Sequence, residues 1–209
     1  LAQHLSAQAT VLTLTPAPAH SVSLRMARLH EGFELVFRLH DQRDDLLLAL
    51  RQMGVSHVHY HHLLGHDPWV MGLPQQLGVG YDFTAHDFYS FCTRISMTGD
   101  DNRYAGEPSP GLCNCCDPQE AAPMGGGTVA NWRERNRHFL TGARQVLAPS
   151  RDTARRMAGF APGARVLAVP HADLATDSET ALHLPAPRLL LAGMPLKVAV
   201  LGALSTIKG

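Results

Sequence analysis

Apolar and polar positions along this chain follow two different periods, and the change from one to the other falls near Asp41. Before it, "VLTLT", "SVSLRMA" and "GFELVFRL" carry β-branched or alternating residues separated by Pro, Gly and His, the pattern of strands joined by turns. From Asp41 the grammar becomes helical. "DDLLLALRQMG" spaces its leucines for one helix face, opens on acids and stops at Gly54, and the strand-like "VSHVHY" follows at once. "DPWVMGLPQQLG" predicts a second helix and "YDFTA" a further strand.

No period survives from Arg94 to Gly127, a stretch rich in Gly, Pro, Asp and Cys. A long aperiodic insertion in a compact domain is usually functional or stapled by metal. Regular structure resumes with "TVANWRERNRHFLTGA" as a helix, "RQVLAP" as a strand, "SRDTARRMAGF" as a helix capped by Ser150, and "ARVLAVP" as a strand. Such alternation predicts an α/β fold: a Rossmann-like, mostly parallel sheet with helices on both faces. Ligands of such sheets sit beyond the carboxyl ends of the strands, which selects His59 to His62, His86 with Asp87, Ser150 and His171 for attention.

Composition narrows the function classes. Lysine plus arginine equals aspartate plus glutamate at 18 each, so no net charge argues for nucleic acid or an anionic membrane surface as a partner, and any anion must be met locally. The longest apolar runs, such as Leu189 to Leu191, fall far short of the roughly 20 residues that span a bilayer. The chain opens at Leu1 without a charged-then-apolar leader, which gives the expectation of a cytoplasmic protein. Both ends look abrupt: "LAQHLSAQ" has the look of the last turns of a helix, and "LKVAVLGALSTIKG" that of a strand and turn lacking its helix. An excised piece of a longer enzyme, inactive alone, is the expectation.

Two clusters invite a metal. On strand period His57, His59 and His61 share one face of "HVHYHHLLGHD", with Tyr60 and His62 on the other. Metallo-β-lactamase-type hydrolases place His-x-His-x-Asp-His after a strand, but His61 stands where the aspartate base belongs. A metal-dependent hydrolase using residues 57–66 is therefore the rival reading; histidines satisfied by backbone carbonyls are the plain one. Cys92, Cys113, Cys115 and Cys116 match the four ligands of a structural zinc that would staple the irregular segment. Reduced thiols in that loop are the alternative, and a non-catalytic binding module built on it is the second rival.

Taken in order, "VHYHH", "YDFTAHDFYSFCTRI", "RYAGEP", "CNCC", a Trp-Arg helix, "VLAPS", "VLAVPHAD" and "VAVLGALSTIKG" resemble the retaining glycosyltransferases of the two-Rossmann-domain (GT-B) class, notably the bacterial group that builds surface polysaccharides. The resemblance runs from about Val55 to Gly209. It implies transfer of a sugar from a nucleotide-diphosphate-sugar donor to a saccharide or lipid-linked acceptor, with no cofactor needed for the chemistry and with room for peripheral membrane association of the full-length enzyme. Residues 1–175 would form the acceptor-side domain, 176–196 the interdomain linker, and 197–209 the first strand and turn of the donor-binding domain.

By the same resemblance His86, with Asp87 beside it, takes the catalytic position that reaches the donor sugar. Lys208 and Gly209 would meet the donor diphosphate, where a compact ammonium suits the anion. His61, His62, Arg94, Ser150 and His171 are the candidate substrate-binding residues. One departure bears on zinc: the family's "YCGEP" is here "YAGEP", with Ala105 at the cysteine position, so a four-cysteine site has to recruit Cys115 or be incomplete.

Overall fold

The computed structural model describes residues 9–26, 33–99, 103–107 and 128–169. The three N-terminal strands, β1 (Leu12–Ala17), β2 (Ser21–Met26) and β3 (Glu34–Arg38), form an antiparallel meander in the order β1-β2-β3, registered Leu14 on Leu24 and Val22 on Phe37. They stand apart from the main sheet as a sheet of their own. Val22, Leu24 and Phe37 are buried, while Ser23 and Arg25 both bond to Glu34.

Helix α1 (Arg43–Gln52) then leads into the alternating part. It buries Leu46, Leu47 and Leu50, and Gly54, at φ +70°, turns the chain out of it in a conformation that L side chains rarely adopt. Strands β4 (His57–Tyr60), β5 (Gly80–Thr84), β6 (Gln145–Ala148) and β7 (Val166–Ala168) pair in parallel in that order, a four-stranded sheet flanked by helices. The α/β architecture expected from the alternation is present, and it is compatible with a Rossmann-like fold.

Between β4 and β5 the single expected helix is two pieces, a 3₁₀ turn at Pro68–Gly72 and the short α2 (Leu73–Leu77). Pro74 lacks the N–H that a continuous helix would need at that point, so the path breaks beside it. Helices α3 (Val129–Gly142) and α4 (Arg151–Phe160) start at Thr128 and Ser150, whose hydroxyls accept from Asn131 N and Thr153 N.

One aromatic layer ties α3 to the sheet. Tyr60, Tyr81 and Phe83 set their rings 5.0, 5.1 and 5.8 Å from that of Phe139. The Tyr60 hydroxyl donates to Val70 O and the Tyr81 hydroxyl to Phe139 O, so neither buried polar tip is left unmet. Burying each such ring contributes roughly 2 kcal/mol. From the same helix Trp132 Nε1 donates to Tyr89 O at 3.1 Å, and Arg133 Nε to Phe91 O at 2.9 Å. Helix α3 thus fixes the loop that follows β5.

Of the irregular segment, residues 94–99 and 103–107 are described. Gly99 N donates to Arg103 O and Ala105 N to Met97 O, and Arg156 of α4 holds both the Tyr104 hydroxyl and Glu107. Residues 176–196 and 197–209, expected as linker and second-domain start, lie outside the described residues.

Candidate functional site

Parallel register decides which polar side chains meet. His57 lies opposite Gly80 and His59 opposite Asp82, and the two histidine side chains of β4 each reach the residue 25 further along. His57 Nε2 donates to Asp82 Oδ2 at 3.0 Å, His59 Nε2 pairs with Thr84 Oγ1 at 2.7 Å, and His61 Nδ1 pairs with His86 Nε2 at 2.9 Å. His62 Nε2 meets Asp87 Oδ2 at 2.8 Å with the same offset. The face expected for His57, His59 and His61 is the face they occupy, and it is a ladder of paired polar groups.

The ladder sets protonation states. Asp82 is 5 % exposed. Burial alone would raise its carboxyl, but hydrogen bonds from Arg144 and Gln145 and the charges of Arg144 and His57 outweigh it and hold the group below its usual range. His59 and His61 stack at 4.6 Å with planes 5° apart. Burial, and then the neighbouring His59 and His86, push the His61 imidazole down to about 4. His59 is lowered too, again chiefly by burial. These two rings are neutral near pH 7.

The upper rungs open into a small pocket at the carboxyl edge of the sheet, where the enclosed space matches about one water molecule. The end of β4 supplies His61, His62 and Leu63; the end of β5 supplies Phe83, His86 and Asp87; Tyr89, Ser90 and Asn136 of α3 complete the lining. Asp87 is anchored twice: Oδ1 accepts from Tyr89 N at 2.9 Å while Oδ2 accepts from His62. Leu64 N donates to His62 Nδ1, which makes that nitrogen the acceptor and places the ring proton on Nε2, facing Asp87. His62 also stacks on Tyr89, centroids 5.2 Å apart. Tyr89 is 5 % exposed; burial pushes its phenol up to about 12, and its hydroxyl has no hydrogen-bond partner among the described residues.

Four sequence candidates, His61, His62, His86 and Asp87, therefore converge. Arg94 does not line this pocket; its Nη1 donates to Gly99 O within the irregular segment. Ser150 sits at the carboxyl end of β6 with its hydroxyl engaged as the cap of α4. Cys92 packs half-buried against the core. His171, Lys208, Gly209, Cys113, Cys115 and Cys116 lie outside the described residues. Among the described residues no three His, Cys, Asp or Glu side chains gather in a way that could hold a metal ion. No helix among them is long and apolar enough to cross a membrane.

Sequence reasoning passed over Tyr89, Ser90 and Asn136. The only signal in "FYSF" is that Tyr89 and Ser90 lie two and three residues beyond the His-Asp pair, and Asn136 carries the weaker signal of a polar residue one turn after Trp132 on the helix face that becomes buried. No protein-family model matches the sequence, and no curated protein shows significant similarity to it.

Proposed function

We propose that the protein acts as a retaining glycosyltransferase of the two-Rossmann-domain kind, moving a sugar from a nucleotide-diphosphate donor to a saccharide or lipid-linked acceptor in surface polysaccharide synthesis. The observation that carries this reading is the convergence of His61 and His62, after β4, with His86 and Asp87, after β5, on one pocket at the carboxyl edge of a parallel sheet. The lining offers imidazole, hydroxyl and amide groups that donate or accept hydrogen bonds and one carboxylate, chemistry that suits a single sugar hydroxyl reaching a space the size of about one water molecule. His86 is the residue assigned to the donor sugar; its partner His61 holds the ring in place through the 2.9 Å contact. Asp87 orients His62 and the backbone at Tyr89. Lys208 and Gly209 are assigned to the diphosphate on the strength of the sequence resemblance.

The test is transfer of labelled sugar from uridine, guanosine, adenosine and thymidine diphosphate sugars to a lipid-linked saccharide. His86→Ala should lower turnover by more than about tenfold and leave acceptor affinity nearly unchanged, because the histidine acts as the donor bond breaks. The assay uses the longer enzyme of which this chain would be the acceptor-side part: transfer with unchanged turnover in its His86→Ala variant removes His86 from the reaction, and absence of transfer from every donor counts against the reading itself.

A further inference from the structure

We infer that His61 is a positioning residue that fixes His86 as a hydrogen-bond acceptor: His86 Nε2–H donates to His61 Nδ1, and the second nitrogen of His86, Nδ1, keeps its lone pair for a ligand that brings a proton of its own. The inference deepens the glycosyltransferase reading. It rests on that reading for the identity of the ligand, and on the two rings for the direction of the bond.

The contact between the rings is linear. His61 Nδ1 and His86 Nε2 lie 2.9 Å apart, while the ring centroids lie 5.2 Å apart with planes at 27°. That centroid separation is the nitrogen contact extended by the two ring radii, so the nitrogens meet on the line of centres and one proton lies between them. His61 is braced for this from the other side. Its ring stacks on His59 at 4.6 Å with planes 5° apart, and His59 Nε2 is tied to Thr84 Oγ1 at 2.7 Å.

A single proton on that line can belong to either ring, and the choice fixes both tautomers. With His86 Nε2 as donor, each ring carries its proton on Nε2, the tautomer that an isolated histidine side chain prefers. With His61 Nδ1 as donor, both rings are forced into the minor one. The neighbouring His62 is in the first state: its Nδ1 accepts from Leu64 N and its Nε2–H faces Asp87. The bond to His61 therefore leaves His86 Nδ1 as an acceptor.

An acceptor nitrogen is selective. His86 lines a space that matches about one water molecule, enough for one hydroxyl. A sugar hydroxyl supplies the proton that Nδ1 needs. The oxygens of an ionised diphosphate, or a carbonyl, would set lone pair against lone pair. Of the parts of a nucleotide sugar, His86 thus meets the sugar.

The test is ¹⁵N NMR of the histidine side chains at about pH 8, where unperturbed imidazoles are neutral. In the protein without ligand, His86 Nε2 should give a pyrrole-type shift and Nδ1 a pyridine-type shift, with a scalar coupling through the hydrogen bond between His86 Nε2 and His61 Nδ1. His61→Asn, which keeps an acceptor oxygen near the Nδ1 position, should preserve the two shifts of His86. His61→Leu should move both toward the average of exchanging tautomers. A pyridine-type Nε2 on His86 reverses the bond and overturns the inference. Absence of the coupling, or a His86 spectrum that His61→Leu leaves unchanged, removes His61 from the role.

Methyl glucoside is the probe for the hydroxyl. On binding it should shift His86 Nδ1 away from the pyridine-type position while the coupling to His61 persists. Binding that shifts Nε2 and erases the coupling overturns the inference and leaves the sugar reading intact. No binding of methyl glucoside or of uridine diphosphate glucose overturns the hydroxyl as the partner of Nδ1 and counts against the sugar reading, while the direction of the bond is decided by the ligand-free spectra.

Discussion

His61 Nδ1 and His86 Nε2 face each other at 2.9 Å, so one ring donates, the other accepts, and both cannot carry protons on the facing nitrogens. His61 is held neutral by burial, then by His59 and His86, with its folded value pushed to about 4 from the ordinary 6.5. Between those values the unfolded chain takes up a proton that the folded chain refuses. Stability is then full above about pH 6.5 and is lost as pH falls through about 4, with His59 and His66 acting in the same direction. His61 is exposed enough that solvent screening reduces the effect. Urea midpoints should fall from about pH 7.5 to about pH 5, and His61→Asn should flatten the slope; a midpoint constant over that range contradicts the assignment.

Gly142→Ala should destabilise the fold by about 1–3 kcal/mol. A Cβ there would sit 2.7 Å from the Tyr81 hydroxyl, which is bonded to Phe139 O inside the aromatic layer and would have to shift. Calorimetric melting of the variant checks this, and an unchanged melting temperature would mean that the layer yields.

Ser150→Ala should cost about 1 kcal/mol, the loss of a helix cap. Its hydroxyl accepts from Thr153 N at 3.1 Å and lies outside the pocket lining. Saccharide binding should therefore be unaffected once the protein is folded. Weakened binding at full folding would return Ser150 to the substrate-contacting group.

Tyr89→Phe removes a buried hydroxyl that has no partner among the described residues while keeping the ring against His62 and Trp132. Melting should be unchanged or raised, by up to about 1 kcal/mol, because an unmet polar group is deleted. A marked loss of stability would reveal a bond that the hydroxyl makes in solution.

The strands and helices of the alternating part were legible because each carries its own signal: leucine spacing in α1, Gly54 after it, Ser150 before α4. The pairing of His57 with Asp82, and of every rung above it, was not, since the offset of 25 is set by how β4 and β5 register in space. Periodicity placed three histidines on one face but could not say what faces them. The separate antiparallel meander was hidden for the same reason: strand pattern predicts β1 to β3, while sheet membership depends on long-range pairing. Pro74 was the local clue that the helix after β4 would break. The cysteine staple falls on residues outside those described, apart from Cys92.

The proposal that the pocket where His61, His62, His86 and Asp87 converge meets a sugar is tested most directly by long-range ¹H–¹⁵N spectra of the histidine side chains, recorded while nucleotide-diphosphate sugars and free glycosides are titrated in. His61, His62 and His86 should shift together and saturably, while His57, bonded to Asp82 at the foot of the ladder, and His138, paired with Glu134 on α3, stay fixed. Shifts centred on His57 or His138, or none at any histidine with a saccharide that binds, would contradict the placement of the site.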